Sequence, residues 1–327
     1  MQRRSVLKGL MFGGLACTAG RALPALASAY PSQAIQVAVG FPGGGALDVA
    51  TRMVTEALAG QGIQPMVILN KPGASGTIAA AQVAREAANG YHLALATSSN
   101  MGIAPFLYPD LSYRPAEDFT PIGQFAVSQN VVYTNPDDDV TDFADLVARL
   151  RAKPGHYHFV SPGAGTTAHL CFELLKARLG LQATHVPYKG SPAALSAVAG
   201  GEVMVGVDAI GPALGFFKSG RLRPLAQTGD RRFSELPDVP TFAELGVKGI
   251  PGGTFLGLSA PAGLPAKIQE TLAAALAKVT AERALADRLL TAGMTAAYLD
   301  PSAFATAMQE EAASWGEAVR ASNAQAY

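Results

Sequence analysis

Short apolar segments alternate with longer segments of helical periodicity from residue 35 to about residue 242. Apolar runs bounded by Gly, Pro, Asn and Ser are typical of buried strands, whereas spacings of three and four apolar positions favour helices. This alternation predicts an α/β architecture with mostly parallel sheets and ligand sites at the carboxyl ends of the strands. Two long helices, over 266–292 and 301–321, are predicted to finish the chain.

At five places an apolar strand runs directly into a turn rich in Gly, Ser and Thr and then into a helix. The strand and turn segments are 35–39 with 40–45, 66–69 with 70–76, 93–96 with 97–100, 157–160 with 161–167, and 184–187 with 188–191. Such a junction points free backbone N–H groups and the positive end of a helix dipole at one spot, which suits an anion. Because the turns hold only two cations, Lys71 and Lys189, they favour a small anion held by neutral donors over a long polyanion.

Two β-rich segments, 122–133 and 254–260, are candidates to cross between two domains. A chain of 327 residues is long enough for two domains with real cores. We therefore expect an amino-terminal segment of 1–29, a first lobe built from 30–127 and 256–327, and a second lobe built from 128–255.

The first 29 residues have the layout of an export signal. A basic start is followed by a mildly apolar stretch and by small residues at 27–29, and the apolar stretch falls short of the ~20 residues needed to span a bilayer. Arg3 and Arg4, followed by Val6, Leu7 and Lys8, resemble the twin-arginine export motif, with a general secretory signal as the alternative. We predict a periplasmic protein that is cleaved after about Ala29.

Charge and cysteine content narrow the possible functions. Without the first 29 residues, which carry four basic and no acidic side chains, the 25 acidic residues exceed the 21 basic ones. A mildly acidic body with no run of Lys or Arg argues against nucleic acid and against an anionic membrane surface. Removal of the signal leaves one cysteine, Cys171, so no intrachain disulfide forms, and its apolar helical neighbours predict a buried thiol.

The motifs that would indicate catalysis are weak. Residues 163–168 match the loose form of the G-x-G-x-x-G/A dinucleotide fingerprint, but the acid expected about 20 residues later is missing. Neither an H-E-x-x-H metal motif nor a G-x-S-x-G nucleophile elbow occurs. His169, in the first turn of the helix after Thr167, is expected to orient that turn or to pack against it. An exported NAD-linked or hydrolytic enzyme stays open as an alternative.

A co-linear set of short strings gives a more specific signal. They are YP at 30–31, GFPGGGALD at 40–48, NKPGASG at 70–76, NGY at 89–91, KPG at 153–155, VPYKGS at 186–191, LPDVPT at 236–241 and APAG at 260–263. In this order the chain resembles the Bug (TctC-type) family, the periplasmic solute receptors of tripartite tricarboxylate transporters, over essentially its whole mature length.

The resemblance implies a type II-like, two-lobed periplasmic binding protein whose lobes, each a mostly parallel sheet flanked by helices, are joined by two crossover strands. It implies closure on a small carboxylate and delivery to a two-component membrane permease, with no catalysis, no metal and no cofactor. A monomer is expected. A ligand sensor for a signalling partner is the alternative within the same fold.

The turns and the resemblance together nominate ligand-binding residues in both lobes. They are Phe41, Gly44, Gly45, Ser75, Gly76, Thr77, Ser98 and Asn100 in the first lobe, and Gly165, Thr166, Thr167, Tyr188 and Asp208 in the second. Asp208, at a strand end, has two open interpretations: a cap for the helix that follows, or an acceptor for a hydroxyl or amino group of the ligand.

Several turn residues depart from the family pattern. Leu47 replaces a Thr of the first turn, and Ala164, Ala168 and Ala209 stand where family members often carry Asn or Ser. These losses of polar groups favour a ligand with fewer hydroxyl or amino groups beyond its carboxylate, or with a larger apolar portion.

Overall fold

A computed structural model describes residues 30–322. The predicted export signal at 1–29 and residues 323–327 lie outside the described residues. The strands are β1 (Ile35–Val39), β2 (Met66–Asn70), β3 (His92–Thr97), β4 (Phe119–Ser128), β5 (Asn130–Thr134), β6 (His158–Ser161), β7 (Thr184–Pro187), β8 (Val205–Ala209), β9 (Arg223–Gln227), β10 (Thr254–Pro261) and β11 (Thr295–Leu299).

Helices follow most of these strands. They are α1 (Ala46–Gly60), α2 (Thr77–Val83), α3 (Ala104–Leu107), α4 (Pro115–Asp118), α5 (Phe143–Ala152), α6 (Thr167–Leu179), α7 (Ser191–Ala199), α8 (Ile210–Lys218), α9 (Ala266–Thr280), α10 (Arg283–Thr291) and α11 (Pro301–Ser322). A 3₁₀ turn over Ala74–Gly76 precedes α2, and a π-helical turn over Ser98–Ile103 precedes α3. Within residues 30–322, no helix is long and apolar enough to cross a membrane.

The strands form two sheets, and each sheet with its helices makes one lobe. The first lobe has six strands in the order β11-β4-β10-β3-β1-β2, and the second has five in the order β7-β6-β8-β5-β9. The strands β2, β1 and β3 are parallel, as are β7, β6 and β8, whereas β4, β5, β9, β10 and β11 pair antiparallel with their neighbours. Both sheets are therefore mixed.

The expectation of mostly parallel sheets was wrong. Parallel neighbours require a crossover connection, usually a helix, that brings the chain back to the same end of the sheet. Strands β4 and β10 instead connect the two lobes directly, and β5 continues from β4 after a single residue, Gln129. Strand β10 returns from the second lobe and runs against both β3 and β4, so β4 itself keeps the direction of β3. Strand β5 enters the second sheet from the first lobe and runs against β8 and β9.

The two crossovers lie side by side, which confirms the prediction of two crossover strands. The first runs from β4 through Gln129 into β5, and the second returns through Gly253 into β10. Gly253 has a φ of 133°, and a side chain there would overlap the carbonyl oxygen of Ser128. Only glycine allows the two backbones to approach this closely.

The helices after β10 pack on the first sheet, with Leu272 and Leu276 of α9 and Leu285 and Leu289 of α10 in its core. The prediction of one helix over 266–292 was wrong, because α9 ends at Thr280 and α10 begins at Arg283. The apolar face of α9 includes Leu276 and Val279, and Leu285 lies out of phase with that face, so the chain must turn to bury both. Edge strand β11 was not predicted.

Helix α11 also reaches the second lobe. Trp315 is fully buried in an apolar cluster with Leu107 of the first lobe and with Leu170 and Leu174 of α6. Glu317 of α11 forms a two-pronged ion pair with Arg178 at the end of α6, with both N–O distances at 2.7 Å. The lobes are therefore joined by packed side chains as well as by the two crossovers.

Candidate functional site

The first turn, between β1 and α1, is shaped by a buried carboxylate. Asp48 is only 1% exposed and accepts hydrogen bonds from the backbone N–H of Gly44 (2.8 Å), Asn70 Nδ2 (2.7 Å) and Arg52 Nε (2.9 Å). Burial opposes ionisation of Asp48, but the bonds from Arg52, Asn70 and Gly44 outweigh it and lower its pKa. The N–H of Gly44 is thus used inside the turn, and no side chain caps the N–H groups of the first turn of α1.

The second turn, between β2 and α2, has an unusual backbone. Ala74 and Ser75 both adopt positive φ angles, 45° and 56°, which non-glycine residues rarely do. Gly76 packs directly on Gly40 of the first turn, and a side chain at Gly76 would lie 3.3 Å from both the Phe41 ring and Asn100 Nδ2. Strained backbone of this kind concentrates at functional sites. The structure therefore brings Phe41, Gly76 and Asn100 together.

The third turn, after β3, is held by its own side chains. Asn100 accepts from the backbone N–H of Thr97 (2.8 Å) and donates to the carbonyl of Leu95 (3.0 Å). The hydroxyl of Ser98 donates to Glu311 Oε2 (2.8 Å) and accepts from the N–H of Phe255 (3.0 Å). Both side chains are buried and have protein partners, and Ser98 faces the second crossover. A direct role for either in ligand binding stays a prediction.

The fourth turn, residues 161–167 between β6 and α6, lies against the first lobe. Thr166 caps α6, because its hydroxyl accepts from the N–H of His169 (3.2 Å) and donates to the carbonyl of Gly163 (2.8 Å). Gly165 has a φ of 73°, and a side chain there would overlap Leu107 of the first lobe. Across the lobes, the hydroxyls of Thr167 and Thr254 lie 2.8 Å apart.

Asp208, at the end of β8, keeps one oxygen without a partner. It is 1% exposed, and its Oδ1 accepts from Ser191 Oγ and from the N–H of Ala209, both at 2.8 Å. Its Oδ2 is buried and has no hydrogen-bond partner among residues 30–322. Burial raises its pKa to about 7 in spite of the two bonds. Oδ1 holds the N–H of Ala209 just before α8 and caps no N–H of the helix itself, while the unpartnered Oδ2 leaves the acceptor interpretation open.

The remaining nominated residues lie around these turns. Tyr188 is half-buried beside the fourth turn, and its backbone N–H donates to the carbonyl of Ser161. Gly45 N–H donates to the carbonyl of Pro42, Ser75 is half-buried, and Thr77 begins α2. The first three turns therefore form one group in the first lobe, and the fourth turn of the second lobe lies against Leu107, in the helix that follows the third turn.

Two histidines beneath the fourth turn extend the site beyond the residues nominated from sequence. His169 accepts from the backbone N–H of Gly165 (3.1 Å), and His185 on β7 lies 2.7 Å from Ser161 Oγ. A contact between His169 and the turn was predicted, but His185 was missed. The available signal was that His185 lies on β7, which pairs with β6, the strand that ends at the fourth turn.

Ser161 and Cys171, two side chains with nucleophilic chemistry near the fourth turn, are both buried. Ser161, the hydroxyl beside His185, is fully buried and donates to the carbonyl of Gly163 (3.0 Å) within its own turn. Cys171 is buried, as predicted, and burial raises the pKa of its thiol to about 12. No group of His, Cys, Asp or Glu in residues 30–322 is arranged to hold a metal ion.

Two cavities lie away from the turns. One of about 450 Å³ is lined mainly by apolar residues between α11 and the 105–121 segment, including Phe106 and Met308. The other, of about 700 Å³, lies beside the crossovers and is lined by residues of both lobes, including Gln129, Arg231 and Glu311. Neither is lined by a nominated binding residue.

Comparison with known proteins places the chain in a family. Residues 50–324 match the model of the tripartite tricarboxylate transporter family receptor, TctC. The protein BugT of Bordetella pertussis is 32% identical over 96% of this chain and 97% of its own length.

Solved structures agree with that match. A Rhodopseudomonas palustris protein determined with adipate is 31% identical, with a TM-score of 0.79, over 90% of this chain and 99% of that one. MatC of the same species, determined with bound malate, is 30% identical, with a TM-score of 0.74, over 89% and 100%. The two-lobed fold is thus confirmed, and the chain belongs to the TctC/Bug family of periplasmic solute-binding receptors.

Proposed function

We propose that this protein captures a small carboxylate between its two lobes and delivers it to a two-component permease of the tripartite tricarboxylate type. The observation that carries the proposal is the meeting of turns from both lobes. The turns after β1, β2 and β3 pack together through Gly40, Gly76 and Asn100, and the turn before α6 lies against Leu107 of α3, the helix that follows the third turn. The start of α1 has no side-chain cap, and at the start of α6 Thr166 caps the N–H of His169, so further N–H groups at both helix starts suit a carboxylate there.

Neutral donors rather than cations are proposed to hold the carboxylate. Lys71 Nζ already donates to Gln82 Oε1, and Lys189 is exposed on the surface. Neither lysine is therefore pre-positioned as a buried clamp. Hydrogen bonds from N–H and hydroxyl groups to a charged acceptor are each worth roughly 1.5–3 kcal/mol.

The ligand class follows from the polar groups that the turns lack. Leu47 is half-buried in the first turn of α1, and Ala164 stands in the fourth turn. Relatives of known structure hold adipate, which has an apolar chain between two carboxylates, and malate, which carries a hydroxyl. We propose a carboxylate of the first kind, with an apolar chain, and expect adipate to bind more tightly than malate.

Ligand binding is expected to close the cleft and make the protein more compact. Because donors come from both lobes, a bound ligand stabilises the closed arrangement. Small-angle X-ray scattering should show a smaller radius of gyration with saturating adipate, or with the best carboxylate found by thermal shift. The free energy of unfolding should rise by roughly 2.7 kcal/mol at 100 times the dissociation constant. An unchanged radius with a ligand bound at saturation would contradict closure.

We propose that residues 1–29 direct export through the twin-arginine route. The motif is the pair Arg3 and Arg4 ahead of Val6, Leu7 and Lys8. Replacing both arginines with lysine should leave the precursor in the cytoplasm, as measured by cell fractionation. Normal amounts of mature periplasmic protein from that variant would indicate the general secretory route instead.

A further inference from the structure

The fourth turn is anchored from beneath by the side chain of His169. The backbone N–H of Gly165 donates to His169 Nδ1 over 3.1 Å. A histidine nitrogen accepts a hydrogen bond only when it carries no proton, so this contact fixes the neutral ring with its proton on Nε2. His169 is 4% exposed, and the hydroxyl of Thr166 holds its backbone N–H. His169 is therefore held both at its backbone N–H and at its ring Nδ1.

A second imidazole supports the same turn at its beginning. His185 Nε2 lies 2.7 Å from Ser161 Oγ, and the Ser161 hydroxyl donates to the carbonyl of Gly163. With its proton committed to Gly163, Ser161 is the acceptor, so His185 donates from Nε2. The two imidazole rings stack with centroids 3.8 Å apart and an angle of 18° between their planes. Phe159 of β6 packs against both rings.

The charged groups around His169 favour its neutral form. The titratable and charged groups that face it are His185 on β7, with Glu173 and Lys176 on α6. Glu173 Oε1 is 3.8 Å from His169 Nε2, but the carboxylate is engaged by Lys176 Nζ at 2.8 Å. Burial, His185 and Lys176 lower the pKa of His169 to about 3. Protonation would place a proton on Nδ1, so that two donors, His169 Nδ1–H and the N–H of Gly165, would face each other and the hydrogen bond would be lost.

We propose that His169 is a positioning residue that holds the 161–167 turn in its ligand-binding shape through the Gly165 N–H. This inference rests on the proposed function, because it assumes that the turn binds the carboxylate. The Nδ1 acceptor fixes the orientation of the Gly165 peptide, and the neighbouring N–H groups at the start of α6 then point at the cleft. Without the acceptor, a buried N–H loses its partner and the peptide reorients toward water.

Two substitutions at His169 distinguish the effect of the Nδ1 acceptor from the effect of the aromatic ring. His169→Phe keeps a flat ring to stack on His185 but has no acceptor. His169→Asn loses the ring, but its Oδ1 can occupy the position of Nδ1. We expect His169→Phe to raise the dissociation constant for adipate about 10- to 100-fold by calorimetry. His169→Asn should stay within about threefold of wild type. Equal affinities for His169→Phe and wild type would overturn the proposal.

Nuclear magnetic resonance tests the positioning role without any ligand. Long-range ¹H–¹⁵N correlation in the wild-type protein should show His169 Nδ1 unprotonated and Nε2 protonated. The Gly165 amide should be protected from hydrogen exchange in wild type and in His169→Asn, and lose protection in His169→Phe. A proton on Nδ1, or equal protection in all three, would overturn the proposal. If the exchange pattern holds and no carboxylate binds, the positioning role is supported and the proposed function fails by itself.

Discussion

Gly165→Val is expected to lower the affinity for the carboxylate ligand by on the order of 100-fold or more, about 2.8 kcal/mol. Gly165 has a positive φ, and a side chain there would overlap Leu107 across the lobes. Valine would both strain the turn and hold the second lobe away from the first. Calorimetry with the most stabilising carboxylate measures the loss, after circular dichroism has shown that the variant folds.

The chain offers a matched control for this substitution. Gly180, at the other end of α6, also has a left-handed backbone with a φ of 64°, but no atom lies within 4 Å of the place a side chain would take. Gly180→Val should cost a comparable backbone strain of roughly 1–2 kcal/mol and leave affinity unchanged. Adding Leu107→Ala to Gly165→Val should restore part of the binding.

Replacement of Lys189 tests the alternative that a cation holds the carboxylate. Lys189→Ala should change affinity only slightly, because Lys189 is exposed. If Lys189→Ala abolishes binding while Gly165→Val is tolerated, the proposal that neutral backbone and hydroxyl groups hold the carboxylate is wrong.

Glu311→Gln is expected to stabilise the protein at pH 8 and to have little effect at pH 5. Glu311 of α11 accepts from Ser98 Oγ (2.8 Å) and Trp315 Nε1 (3.2 Å) beside the second crossover. Burial raises the pKa of Glu311 to about 7, although both hydrogen bonds act to lower it. The folded protein therefore favours the neutral acid, and a glutamine reproduces its shape without the charge.

The direction of the pH effect follows from linkage. Because the folded pKa of Glu311 lies above the unfolded value, wild type loses stability as pH rises from about 4.5 to about 7. The loss is about 1.4 kcal/mol per pH unit, so Glu311→Gln should gain roughly 2–3 kcal/mol over wild type between pH 5 and pH 8. Urea unfolding of both proteins at pH 5 and at pH 8 measures this difference in the free energy of unfolding. Glu310→Gln, at an exposed neighbour, is the control, and the same pH dependence in wild type and Glu311→Gln would refute the expectation.

The positions of the binding turns could be predicted because their chemistry is local. A strand that ends in Gly, Ser and Thr and leads into a helix is encoded by adjacent residues, and the first and fourth turns were identified this way. Asp48 lies in the first turn of α1, where a carboxylate complements the helix dipole. That it also binds Asn70 and the N–H of Gly44 depends on the neighbouring strand and could not be inferred from spacing.

What the sequence could not predict depends on contacts between distant segments. Ser98 was nominated as a ligand contact, but its hydroxyl binds Glu311, which lies 213 positions along the chain. His185 stacks on His169 only because β7 is placed beside β6. The direction of β5 and β10 likewise depends on how the chain passes between lobes, and local hydrophobic patterns carry no information about it.

Carboxylate-dependent stabilisation tests the central claim most directly. The protein would be screened by thermal shift against small mono-, di- and tricarboxylates, including adipate and malate, each paired with its uncharged amide. We predict that the strongest stabilisers are carboxylates with an apolar chain, that each binds one per chain, and that the matched amide gives no shift. A strongest stabiliser without a carboxylate, or an amide as effective as its acid, would contradict the account.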